Sequence, residues 1–303
     1  MRKKGQMVSA DFPERIILSR KGFDQTAGGC ASPIIDQHLF SIPIPENPRH
    51  RSSTRYEDLR TQAGIPLPRR LLSQRREVSL TGSVHLDPDI RHGLRSATSA
   101  SRCDPARLFF GQDGGPQSHL HDFGVCEGDL FLFFGWFREA VTEGKDLRFV
   151  RAAPNLHAIW GWLQIGRVHV LEFGAECPKC LEDARHHPHV HSTDRTKNCV
   201  YEASPRLSFD RRYAGAGIFN PFSDALRLTA PGETRRSYWT LPKFFGESNI
   251  THVRCGEWES RGETIFGRSP GRGQEFVFDT GPVKQEAARW VKALFRNAPQ
   301  DCQ

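Results

Sequence analysis

Long apolar runs are missing from this 303-residue chain. No stretch approaches the roughly 18 consecutive apolar residues that a membrane-spanning helix needs, so none is expected. The longest candidate, Leu130 to Phe137, has the length of a buried strand. No apolar h-region follows the charged opening Met1-Arg-Lys-Lys-Gly-Gln6, which argues against a secretory leader and for a cytoplasmic protein. Lysine is scarce, and arginine makes up most of the 42 basic residues. No nucleophile elbow, HExxH, kinase signature, P-loop, dinucleotide fingerprint or helix–turn–helix occurs, which excludes the commonest catalytic and DNA-binding templates. Internal repeats are absent too.

What is present is a basic chain long enough to bury a sizeable core. The formal net charge is +7 with 25% charged residues. Arginine forks onto phosphate and stacks on bases, so the excess is compatible with nucleic acid, although a solvated basic surface gives the same count. The eight cysteines are spread along the chain without an export signal, so reduced thiols are expected. Only Cys177-Pro-Lys-Cys180 has a spacing with chemical meaning.

Residues 1–14 read as a flexible tail and 15–300 as one elaborated domain. Arg15 to Ser19 predicts a buried strand, and Ile34 to Pro45 a hairpin turning near Asp36-Gln37. From 46 to 106 prolines, serines and arginines dominate. That stretch reads as a loop-rich peripheral segment, with Val84 to Ile90 as a strand fragment. A short helix is expected over Gln117 to Phe123. Leu130 to Phe137 is too apolar for a one-sided strand and belongs in the middle of a sheet with both faces covered. His157 to Leu171 predicts one long strand, or two with a bend at Gly166. Asn198 to Ala203 and Gln274 to Asp279 are further strands, and Pro282 to Arg296 is a helix with one apolar stripe. Strands and helices do not alternate, so the expected fold is α+β: a mixed, mostly antiparallel sheet with a few helices.

Three constellations could carry chemistry. The loop Ser19-Arg-Lys-Gly-Phe-Asp24, with Gly28, Gly29, Ser32 and Pro33, places cations and small donors after a strand, as a phosphate cradle would; ordinary turns would use the same glycines. Cys177 and Cys180, followed by His186, His187, His189, His191 and Cys199, could supply a zinc site, with His187 and His189 as the histidine half. His187-Pro-His189, read as extended, would aim both imidazoles at one metal, phosphate or proton-transfer site. His191-Ser-Thr193 matches half of a two-histidine phosphoesterase signature, but no second half exists. His119 in Gln117-Ser-His119 is the third candidate, set against a core or capping role.

The blocks Ser19 to Asp24, Gly28-Gly29, Ser32-Pro33, Ser41-Ile-Pro-Ile-Pro45, Gln117-Ser-His-Leu120, Gly128 to Gly135, Gly161 to Gly166, His187-Pro-His189 and Asn198 to Tyr201 resemble the nucleotide-modification-associated domain family, third type. They run in one order from about residue 15 to 280. The resemblance implies an α+β protein of phage and bacterial nucleic-acid modification systems: an enzyme acting on a base in DNA or its nucleotide precursor, beside partner proteins of such a system. It implies Asp24, His119, His187 and His189 as catalytic or metal-binding residues. Arg20, Lys21, Gly28, Gly29, Ser32 and Asn198 would hold substrate. The Cys177/Cys180 pair, His186 and His191 fall outside the family pattern. A competing reading is a non-catalytic reader of modified bases, since Gly128-Asp-Leu-Phe-Leu-Phe-Phe and the Ile159 to Gly166 strand resemble the strand pair of a PUA-like barrel.

Overall fold

A strand that is apolar on both faces must be covered on both, and the computed structural model is organised around that requirement. It describes residues 12–47, 54–59, 79, 81–95, 104, 106–143, 146–191, 194–247, 250–252, 258–269 and 274–298. In chain order the strands are β1 (Arg15–Arg20), β2 (Ser32–Ile35), β3 (His38–Leu39), β4 (Phe109–Gln112), β5 (Leu130–Glu143), β6 (Asp146–Phe149), β7 (Leu156–Leu171), β8 (Asn198–Ala203), β9 (Ala216–Ile218), β10 (Tyr238–Pro242), β11 (Trp258–Arg261), β12 (Thr264–Arg268) and β13 (Glu275–Asp279). The helices are α1 (Gly114–Asp122), α2 (Pro188–His191), α3 (Phe244–Glu247) and α4 (Lys284–Leu294).

The main sheet follows the path β13-β1-β5-β7-β8-β4, and a small second sheet is ordered β10-β12-β11. β5 pairs in parallel with β1 and β2, and the other ladders are antiparallel. The architecture is therefore α+β with a mixed, mostly antiparallel sheet. Phe131, Phe133 and Phe134 on β5 are wholly buried, and so are Ile16, Ile17 and Leu18 on β1. Burying each such side chain favours the fold by roughly 1.5–3 kcal/mol. α4 buries Ala287, Ala288, Val291 and Leu294 in the main core.

Local chemistry explains the irregularities. Asp36 and Gln37 both adopt positive φ, 47° and 64°, the paired left-handed geometry that closes a two-residue hairpin between β2 and β3. β7 runs unbroken from Leu156 to Leu171, but its register against β8 shifts between Ile165 and Arg167. Gly166 sits at that bulge, where a Cβ would meet the Ser204 backbone at 2.7 Å.

The sheet is curled but not closed. Phe110 on β4 packs 4.8 Å from Phe131 and 5.2 Å from Phe133, although β7 and β8 lie between those strands in the path. Gln112 of β4 donates to Glu275 of β13 at 2.5 Å, so a side-chain contact joins the two ends of the path. No backbone ladder joins β4 and β13 among the described residues, so the PUA-like barrel considered for the competing reading is not found there.

Two parts of the chain differ from their expected character. Much of the stretch 46–106 lies outside the described residues, but Tyr56, Leu59, Val84, Leu86 and Leu94 build a second core with Phe23, Phe40 and Ile42. Most of the tail is likewise undescribed. Its residue Phe12 is buried 5.4 Å from Phe209, and Thr280 donates to the carbonyl of Pro13.

Candidate functional site

Bridges from Val84 to Pro45 and from Asp89 to Phe109 hold the segment Val84-His-Leu-Asp-Pro-Asp89 against the sheet. It delivers His85 and Asp87 to α2, which carries His189. One donor atom from each of these three side chains lies within 4.8 Å of the others, the only such group of metal-capable donors among the described residues.

The expectation of an extended His187-Pro-His189 is corrected: Pro188 to His191 forms a helical turn. Proline fits the first helical position because its missing N–H would be unpaired there anyway. His187 caps the turn, its Nδ1 accepting from the His189 N–H at 3.3 Å. The two imidazoles still share one neighbourhood, 5.9 Å apart between ring centres. His189 lies against β4 because position 111 is glycine. A Cβ there would meet the imidazole Cγ at 2.2 Å.

The partners are specific. Asn198 at the start of β8 donates to the His189 carbonyl at 2.8 Å and turns its own oxygen to His189 Nδ1, also at 2.8 Å. His85 Nδ1 stands 3.1 Å from both oxygens of Glu46. Asp87 Oδ1 accepts the Gly111 N–H at 2.7 Å and lies 3.3 Å from His187 Nε2. Arg195 pairs with Asp113 at 2.7 Å and stands 3.8 Å from Glu46. Lys21, at the end of β1, pairs with Glu275 at 3.3 Å and sits 4.4 Å above the Phe110 ring.

Charge follows from this packing. Burial alone would raise the Asp87 carboxyl, but the close contact with His187, with the Lys21 charge adding to it, outweighs that and holds it low. Burial drives His189 well below the ordinary histidine value, with Asp87 opposing and His85, His187 and Arg195 reinforcing the shift. The centre thus combines an ionised carboxylate with a neutral imidazole at neutral pH.

The remaining predicted residues lie elsewhere or serve the loop. Asp24 Oδ1 accepts from the N–H groups of Thr26 and Ala27, both at 2.7 Å, and so builds the turn that Gly28 and Gly29 continue with φ of 82° and 67°. Ser32 is buried and accepts the Ile42 N–H at 3.0 Å. Arg20 lies over the Phe134 ring, and Arg236 stacks 4.0 Å over Trp136 while reaching Gln25. Burial lowers both guanidinium groups, and Asp24 opposes the shift in each. His119 bonds to Thr251 at 2.8 Å and stacks 4.2 Å from His252, and burial followed by His252 lowers its pKa.

The zinc set Cys177, Cys180, His187 and His189 is not gathered into one donor group. Cys180 is exposed, with its Sγ 3.8 Å from His169 Nδ1. Cys177 lines a cavity of about 220 Å³ together with Val190, Arg195 and Asn198. His186 pairs with the buried Asp89 at 2.7 Å, which also binds Arg95. Sequence reasoning missed Glu46, His85 and Asp87. The available signal was Val84-His-Leu-Asp-Pro88, a histidine and a carboxylate two residues apart before a proline.

The fold and its centre define an α+β protein with a buried histidine–carboxylate cluster packed against β4 of a curled sheet. A family model for nucleotide modification associated domain 3 matches residues 15–279, and the chain belongs to that family. No curated protein and no solved structure matches the chain. No helix among the described residues is long and apolar enough to cross a membrane.

Proposed function

We propose that the protein is an enzyme of nucleotide modification whose reaction centre is the cluster of His85, Asp87, His187 and His189. Its substrate is a base in DNA or the nucleotide precursor of that base. The convergence of His85, Asp87 and His189 from two separate segments, with one donor atom of each within 4.8 Å, carries the reading. Buried polar groups are costly unless paired, and a protein that needed only packing would fill this position with apolar side chains. Asn198 and Glu46 orient the imidazoles, and Asn198 thus keeps a place at the site as a positioning residue.

Phosphate is held beside the loop after β1, by Arg20 at the end of β1 and Arg236 before β10, both within electrostatic reach of Asp24 in that loop. The charge of Lys21 is countered by Glu275, which favours a role in fixing the centre over gripping substrate. Asp24 shapes the loop. A non-catalytic reader rests on the likeness of the Gly128 and Ile159 strands to a PUA-like strand pair, and the open strand path gives it less support than a closed barrel would.

Nucleoside mass spectrometry of DNA and nucleotide pools, from cells with and without the gene, tests the reading. Deleting the gene is expected to change the profile, and Asp87→Asn and His187→Gln are expected to reproduce the deletion. A profile altered by deletion but restored by both variants would show that the cluster is not the reaction centre.

A further inference from the structure

The proposed function leaves open what the centre holds, and the directions of its lone pairs bear on that. We propose that His85, Asp87 and His189 form a binding site for one divalent first-row transition ion, with coordination positions left for water or substrate. The inference rests on the same centre as the proposed function and deepens it.

The tautomers carry the argument. Asn198 donates its amide N–H to the His189 carbonyl, so the oxygen it turns to the ring can only accept. His189 Nδ1 must therefore bear the proton, which leaves Nε2 with a free lone pair. The Glu46 carboxylate likewise only accepts, so His85 also carries its proton on Nδ1 and offers Nε2. A ligating histidine that donates its second ring N–H to a carboxylate or amide oxygen is the usual outer arrangement of a metal centre. Both contacts of Asp87, with the Gly111 N–H and with His187, are made through Oδ1, which leaves Oδ2 for an ion.

The spacing agrees. Bonds of roughly 2.0–2.2 Å separate two ligands on one ion by about 3–4 Å. The three donors, within 4.8 Å of one another, need only a small contraction. Gly111 supplies an independent observation, because the position of the His189 ring requires a residue without a side chain on β4. Two imidazoles and a carboxylate without thiolate suit Zn(II), Fe(II), Co(II) or Mn(II) and disfavour Cu(I). The nearby thiols do not complete the set: neither Cys177 nor Cys180 belongs to the donor group, and Cys180 faces His169.

Cobalt(II) alone is the probe. Protein stripped with chelator is titrated with Co(II) and followed by visible ligand-field absorption and calorimetry, with circular dichroism reporting the fold. One equivalent is expected for the wild type. Asp87→Asn and His189→Gln are expected to lose at least about 100-fold in affinity. Glu46→Gln should lose about 10–100-fold, the range for an outer-shell partner. Cys177→Ser and Cys180→Ser are expected to bind as the wild type does. If either site variant unfolds, the less deeply buried His85→Gln replaces it. Failure of folded wild-type protein to take up Co(II) overturns the proposal. Retention of uptake in the folded site variants, or its loss in the cysteine variants, overturns it too. Ion uptake with an unchanged nucleoside profile keeps the ion site and removes the proposed function. A changed profile from a protein that takes up no ion does the reverse.

Discussion

Two histidine–carboxylate groups lie on neighbouring parts of the molecule, and they differ in where their lone pairs go. At the first, His85 and His189 direct Nδ1 outward to Glu46 and Asn198, and one donor of each converges with Asp87. At the second, His169 gives Nε2 to Glu202 at 2.9 Å and turns Nδ1 toward the Cys180 thiol. Glu202 there also takes a bidentate fork from Arg107, which bonds to Asp183 as well. Both groups hold the residue types of a metal or catalytic site. The first leaves each imidazole one acceptor nitrogen beside Asp87, and the second is a closed network in which His169 already meets Glu202 and a thiol. Residue type counts for less than the atom each residue has left over.

The largest effect that would sharpen this contrast is expected from Asp87→Ala. It strands His187 and the Gly111 N–H without their buried carboxylate, which should cost about 3–5 kcal/mol in urea unfolding. Glu202→Ala, in the part-exposed network, should cost only about 1–2 kcal/mol because Arg107 keeps Asp183. Equal losses at the two positions would erase the distinction. Gly111→Ala should cost roughly 1–3 kcal/mol through overpacking against His189, and should shift the imidazole resonances of His189 but not those of His169.

Acid provides a smaller test. His157 is buried, accepts from Trp239 at 3.0 Å, and is held well below the ordinary value of 6.5, first by burial and then by Arg20 and Arg236. The unfolded chain then binds more protons than the folded one below that value. Stability is fully present above about 6.5 and falls as the pH drops further. His189 acts in the same direction. Thermal melting from neutral to mildly acidic pH should show the fall, and His157→Gln should reduce it. The smallest effect is expected from Cys180→Ser, within about 0.5 kcal/mol, since the thiol is exposed.

The sheet was legible because its signals are local. The double-faced apolar run of β5, the bend at Gly166 and the turn at Asp36-Gln37 each follow from residue size and backbone freedom. The site was half legible. His187, His189 and Asn198 are close in sequence, so their common neighbourhood could be read from it. Glu46, His85 and Asp87 come from a stretch rich in proline and arginine with only a weak apolar period, so beyond the Val84 to Ile90 fragment little local marked it as buried. Its burial is a tertiary effect: Tyr56, Val84 and Leu86 pack on Phe23 and Ile42, far from them in sequence. The reading of two residues flanking a proline as extended failed at His187-Pro-His189, because proline there opens a helical turn.

β1 has one further consequence. This first strand lies inside the sheet, between β5 and β13. During synthesis its ladder with β5 can form once residue 134 has emerged, but its other edge waits for residues 275 to 279. Through that interval Ile16, Ile17 and Leu18 present an unpaired apolar edge, the kind of surface on which nascent chains aggregate. Glu275, the partner of Lys21 and Gln112, arrives with the same strand. Closure of the sheet edge and completion of the polar centre are therefore one late event, and a chain truncated before β13 should be a client of chaperones rather than a smaller working protein.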